Sequence, residues 1–83
     1  MTWGVSEPTI AARMNESIQN NVQELRKEKG MTQEELAETV GVSRQTVIAI
    51  EKGNYTPSVL LALKLAHTFK KPVEKIFAIT YEK

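Results

Sequence analysis

The sequence predicts an all-α fold: five short helices in one domain, closed by a short C-terminal β-strand. Three observations carry this expectation. Apolar residues recur at helical spacing between Ile18 and Phe77, most clearly from Thr32 to Gly53. Gly30, Gly41 and Gly53 each follow an apolar stripe, where a helix ends most easily in a left-handed residue. Only Ala78-Ile79-Thr80-Tyr81-Glu82 alternates with β-branched and aromatic residues, which reads as a strand. With 83 residues there is room for one core. So small a domain buries only about 60–65% of its unfolded surface, so stability is expected to lean on a partner subunit.

The elements follow in order. Residues 1–17 hold Trp3, Gly4 and Pro8 without a clear period. They are expected to be a mobile extension, or to pack through Trp3 and Ile10. Met14 is a second candidate start, and a lone Arg13 argues against an arm that wraps DNA. Ile18, Val22 and Leu25 then place a first helix up to Lys29, with Asn20 or Asn21 as its cap and Gly30 at its end. Ile18-Gln19-Asn20 could instead pair as a short strand with the chain end. Met31 reads as a core plug. Thr32 with Glu35 three residues on has capping-box spacing, and Leu36, Ala37 and Val40 form the inner stripe of a second helix. Ser43 is the next N-cap, and Val47 and Ile50 supply the inner face of a third helix that Gly53 closes. Ala37 is small enough to let two helices cross closely. Residues 32–53 are therefore a helix-turn-helix, a motif generally used to set its second helix in the major groove of DNA.

Beyond Gly53, Thr56 and Pro57 have the order of an N-cap and a first-turn proline. Residues 59–66 are apolar around most of a helix, which marks it as central to the core. Pro72 restarts a fifth short helix with Val73, Ile76 and Phe77 as its apolar face. The terminal strand needs a partner, which a two-fold-related subunit could supply.

The spacing of Gln33, Ala37, Gly41, Val47, Ile50 and Glu51 resembles the phage lambda repressor and Cro family of regulators. Residues 54–58, 60–66 and 72–77 continue the likeness, which spans Val22 to Phe77. It is strongest to short dimeric members similar to the cytolysin repressor. The resemblance implies a lambda-repressor-like DNA-binding domain, expected over residues 18–83, and the apolar residues near the chain end suggest a dimerisation segment at 72–83. It also implies an ion pair between Arg26 and Glu51 that pins the first helix to the third, and a backbone-phosphate contact from Gln33. For Arg26 the alternative is a solvated side chain, as for Lys27 and Lys29.

At 100° per residue, Val47, Ile50 and Glu51 share one side of the third helix, and Arg44, Gln45, Ile48, Ala49 and Lys52 the other. Arg44 and Gln45 lie at the N-terminal end, which meets base edges in this motif. Arginine can pair with guanine O6 and N7, and glutamine with adenine N6 and N7. Thr46 can reach a base or a phosphate, and Ile48 and Ala49 can lie against thymine methyl groups or be partly buried. Ser43, Lys52, Asn54 and Tyr55 flank this ridge as phosphate contacts, with core packing the alternative for Tyr55. Gln33 opens the second helix, where free N–H groups favour an anion.

Eleven basic residues against ten acidic ones leave a net charge of +1, which argues against an indiscriminate polycation. Useful affinity is then expected from a homodimer on a pseudo-palindromic double-stranded operator, joined through Val73, Ile76, Phe77, Ile79 and Tyr81. The chain has no cysteine, no aspartate and one histidine, His67, so no zinc site or Ser-His-Asp set is available. No cofactor, metal, membrane partner or small-molecule effector is expected, nor an enzyme activity. The longest apolar run, Val59 to Leu63, cannot span a bilayer, and a cytoplasmic location is expected. Two rival readings share the fold: an antitoxin-type autoregulator, and a protein-interaction module that has lost DNA binding. The outward polar set Arg44, Gln45, Thr46 and Gln33 argues against the latter.

Overall fold

A computed structural model describes residues 15–82. The expectations for Trp3, Ile10, Arg13 and Met14 lie outside these residues. Strand β1 (Asn15–Asn20) leads into four α-helices: α1 (Val22–Glu28), α2 (Gln33–Val40), α3 (Arg44–Glu51) and α4 (Val59–Phe69). A single 3-10 turn (Val73–Lys75) and strand β2 (Phe77–Glu82) complete the chain.

Among the described residues the α-helix count is four, not five. Between Pro72 and β2 the bonds are Lys75 N–H to the Pro72 carbonyl and Ile76 N–H to the Val73 carbonyl, both of i to i+3 type. Too few residues remain there to close an α-turn, because Ile76 is drawn into the core and its carbonyl accepts the Asn21 N–H at 3.1 Å. The sheet is also larger than the lone strand expected. β2 pairs antiparallel with β1 in the same protomer, with Ile18 opposite Ile79 and Asn20 opposite Phe77. Asn15 to Ser17 thus belong to the sheet rather than to an extension, and the second of the two readings of Ile18–Asn20 is the one seen.

Alternation along the strands divides the two-stranded sheet. Ile18, Ile79, Phe77 and Tyr81 share one face with Glu16 and Asn20, while Ser17 and Thr80 hydrogen-bond on the other at 2.8 Å.

The core is built from Val22 and Leu25 of α1, Leu36, Ala37 and Val40 of α2, Val47 and Ile50 of α3, Leu61, Leu65 and Phe69 of α4, and Ile76. Met31 and Val42 pack against its margin. Caps set the helix ends. Thr32 Oγ1 accepts the Glu35 N–H at 3.0 Å, and Glu35 Oε1 accepts the Thr32 N–H at 2.8 Å. Gly41 leaves α2 at φ 77°, and the Val42 N–H then returns to the Ala37 carbonyl, so the turn into α3 needs a residue tolerant of positive φ. Helix α4 starts two residues later than Thr56-Pro57 suggested, because the Ser58 hydroxyl accepts the Leu61 N–H at 3.1 Å and takes the cap.

Helix α4 is less buried than its composition implies. Leu61, Leu65 and Phe69 point inward, but Val59 is 78% exposed, Leu60 63% and Leu63 54%. Among the described residues, only one side of its apolar circumference is buried.

Candidate nucleic-acid interface

Helix α3 is held from one side. Val47 and Ile50 are buried, and the Ser43 hydroxyl caps the first turn by accepting the Thr46 N–H at 3.2 Å. At the far end the Gly53 N–H meets the Ile50 carbonyl and the Asn54 N–H meets the Ala49 carbonyl, each at 2.9 Å. This double closure stops the helix and turns Lys52, Asn54 and Tyr55 outward as an exposed loop.

Beneath α3, Glu51 gathers three elements. Arg26 of α1 donates from Nε to Glu51 Oε2 at 2.7 Å and from Nη2 to Oε1 at 3.3 Å. Arg26 Nη1 also donates to the Met31 carbonyl at 2.8 Å, where α1 turns toward α2. Gln33 Nε2 of α2 reaches Glu51 Oε1 at 3.1 Å. The two charged side chains are only 9% and 3% exposed, so this pair is a buried clasp and not a solvated contact. Such a pair specifies geometry more than it adds net stability.

The Gln33 bond was not visible in the sequence. Positions 33 and 51 are far apart, and only a known crossing of α2 over α3 brings them together. It has a chemical consequence. A carboxylate only accepts, so the Gln33 amide must turn its NH2 toward Glu51. One N–H of that group and the Gln33 backbone N–H remain without a partner among the described residues.

The outer side of α3 presents the remaining candidates unevenly. Arg44 and Gln45 are exposed and make no side-chain hydrogen bond among the described residues. Arg44 shares a shallow depression of about 310 Å³ with Arg26, Thr32, Gln33 and Glu34, so the first turns of α2 and α3 open on one cleft. Thr46 is half-buried and its hydroxyl lies 3.1 Å from that of Ser43, so both hydroxyls are already engaged locally. Ile48 and Ala49 are half-buried at the flank of the ridge. Tyr55 is 46% exposed and borders a groove of about 430 Å³ with Pro57, Ile18 and Ile79.

The expected two-fold set divides as well. Ile76 is 2% exposed and committed to the protomer's own core, so it drops out of that set. Ile79 and Tyr81 remain exposed at 60% and 47%. Val73 and Phe77 are half-buried and line a groove of about 180 Å³ with Ile18, Val59 and Ala62.

Of the two cap candidates for α1, Asn20 is the one that bonds the helix start, and its second bond, to α3, had no signal in the sequence. The formal cap residue of α1, Asn21, makes no side-chain capping bond. Asn20 Oδ1 instead accepts the Val22 N–H at 3.0 Å, while Asn20 Nδ2 donates to the Ile50 carbonyl at 2.9 Å.

Two crossed helices, a capped turn between them and a polar outer ridge on the second define a helix-turn-helix protein. A family profile described as Helix-turn-helix matches residues 22–76. The chain belongs to that family, in its lambda repressor and Cro branch, whose proteins are DNA-binding transcription regulators. It is 54% identical over 65 residues to YgzD of Bacillus subtilis, described as an uncharacterized HTH-type transcriptional regulator, covering 78% of this chain and 98% of that one. It is 33% identical to the cryptic phage CTXphi transcriptional repressor RstR of Vibrio cholerae, over 69% of this chain and 51% of that one. Among solved structures, the restriction-modification controller protein C.AhdI of Aeromonas hydrophila superposes with a TM-score of 0.60 at 35% identity, covering 65% of this chain and 82% of that one.

Proposed function

We propose that the protein is a sequence-specific repressor that binds a pseudo-palindromic operator as a homodimer, with α3 in the major groove. One observation carries this reading: Val47 and Ile50 are buried and Glu51 is clasped, while Arg44 and Gln45 stand free at the entering end of the helix. Arg44 reads a guanine through O6 and N7, and Gln45 an adenine through N6 and N7. Thr46, Ile48 and Ala49 contribute shorter contacts, the last two against thymine methyl groups. Gln33, Ser43, Lys52, Asn54 and Tyr55 hold phosphates on either side and set the register. Repression by occlusion needs no further domain, and RstR, a relative, is named as a repressor.

The second copy docks on the apolar face formed by Val59, Leu60 and Leu63 of α4 with Val73, Phe77, Ile79 and Tyr81. These side chains are too many and too large for a monomer of this size to leave in water. The near-neutral charge points the same way, since one protomer offers few cations and two α3 helices about 34 Å apart double them. An operator-binding role places the protein in the cytoplasm; among the described residues no helix is long and apolar enough to cross a membrane.

Selection of bound duplexes from a random pool tests the reading. A winning site with inverted half-sites, and an affinity that falls steeply with salt, is the expected result. Equal binding to all duplexes, or a monomer by sedimentation at micromolar concentration, would overturn it.

A further inference from the structure

We infer that Asn20 is a positioning residue that fixes the recognition helix relative to the two-fold face, so that the protein reads the separation of its half-sites as well as their sequence. The inference rests on the dimeric operator-binding role proposed above. Asn20 ends β1, and its one amide does two things. It accepts the first free N–H of α1, from Val22, at 3.0 Å, and it donates to the Ile50 carbonyl in the last turn of α3 at 2.9 Å. That carbonyl also accepts the Gly53 N–H at 2.9 Å, so the same oxygen anchors both the sheet and the loop holding Lys52, Asn54 and Tyr55. Among the described residues the Asn20 bond is the only side-chain hydrogen bond between the sheet and α3.

Position on the strand gives the bond its reach. Asn20 lies opposite Phe77, on the face that also carries Ile18 and Ile79. Ile18 and Phe77 line a groove with Val59 and Ala62 of α4, so this sheet face is continuous with the apolar surface assigned to the partner. The tie therefore runs from the two-fold face directly into the end of the reading helix. Adding one base pair between half-sites moves the second by about 3.4 Å along the axis and about 34–36° around it. The core and the Glu51 clasp hold the body of α3, and the Asn20 bond ties its last turn to the sheet, so without that bond the end of the helix follows such a step more readily.

Asparagine is the residue this junction requires, because it offers a donor and an acceptor on one short planar group. Aspartate keeps the acceptor for Val22 and loses the donor for Ile50, so N20D separates the two roles. The experiment uses full-length wild type, N20D and N20A on the site selected by the wild type. Variant duplexes have one base pair added or removed between half-sites, or one base exchanged within a half-site. The account expects N20D and N20A both to lose up to about tenfold of the wild-type discrimination against altered spacing. The base-exchange penalty and the dimer sedimentation should stay as in wild type. If N20D keeps the wild-type spacing preference, Asn20 is only a cap for α1 and the inference is wrong. It is equally wrong if spacing and base penalties shrink together, which would mark a general loosening. Amide hydrogen exchange without DNA supplies an independent arm: Gly53 and Asn54 should exchange faster in N20D while Leu36 and Val47 do not. Unchanged exchange at Gly53 and Asn54 overturns the inference. Failure of the wild type to select any site counts against the DNA-binding role, and the exchange result still judges the tie.

Discussion

Helices α3 and α4 are alike inside and opposite outside. Each commits a narrow apolar stripe to the core: Val47 and Ile50 from α3, Leu61, Leu65 and Phe69 from α4. On the outer side α3 carries Arg44 and Gln45, with Lys52 just past its end, whereas α4 carries Val59, Leu60 and Leu63. The difference supports the two kinds of partner proposed above. Outward donors and cations match a ligand whose edges are acceptors and whose backbone is anionic. Outward leucines match another protein surface, since in water they contribute nothing to a protomer whose core is already filled.

Helix α3 is anchored from beneath by Glu51, and the largest predicted effect breaks that anchor. Glu51→Ala leaves Arg26 charged, buried and unpaired, and should cost about 3–5 kcal/mol in urea unfolding. Much of a domain this small would then be unfolded, so a loss below about 1 kcal/mol would mean that the clasp is solvated. Next is the outer side of α4. Leu60→Lys should remove about 1.5–3 kcal/mol of apolar burial per protomer from the dimer and shift sedimentation toward the monomer, with the fold retained by circular dichroism. An unchanged dimer would move the two-fold face elsewhere. Gln33→Ala should cost about 1 kcal/mol of binding, equally on selected and random duplexes, because phosphate contacts carry no sequence information. The smallest effect concerns only the end of α4. Lys70 sits at φ 56°, the one non-glycine residue with positive φ among the described residues, so Lys70→Gly should raise unfolding stability by about 0.5–1 kcal/mol.

Local chemistry was legible in the sequence and long-range pairing was not. The box at Thr32 and Glu35, the turn at Gly41, the cap at Ser43 and the inward set Val47 and Ile50 all rest on residues within one turn of each other. Their spacing alone specifies them. The sheet joins residues about sixty positions apart, and Ile18 fits a helical stripe with Val22 as well as it fits a strand. What decided between them was the demand of β2 for a partner and the bonds made by Asn20, neither of which has a local signature. The excess helix at Pro72 has a similar origin. Val73, Ile76 and Phe77 have helical spacing, yet Ile76 is bonded through its carbonyl to Asn21 and the chain must extend at once. Helix α4 misled by composition: an apolar circumference says that a helix will be covered, not that its own chain covers it. Arg26 and Glu51 were paired in advance only through the family resemblance, and Gln33 joined them unannounced.

The central claim is that Arg44 at the entrance of α3 reads a base, and the most direct measurement compares the sites selected from a random pool by wild type and by Arg44→Ala. The account predicts that the variant loses preference at one base position in each half-site, related by the two-fold, at a cost of about 1–3 kcal/mol on the wild-type site, with every other position retained. Identical selected sites, or a uniform fading of preference at all positions, would contradict it.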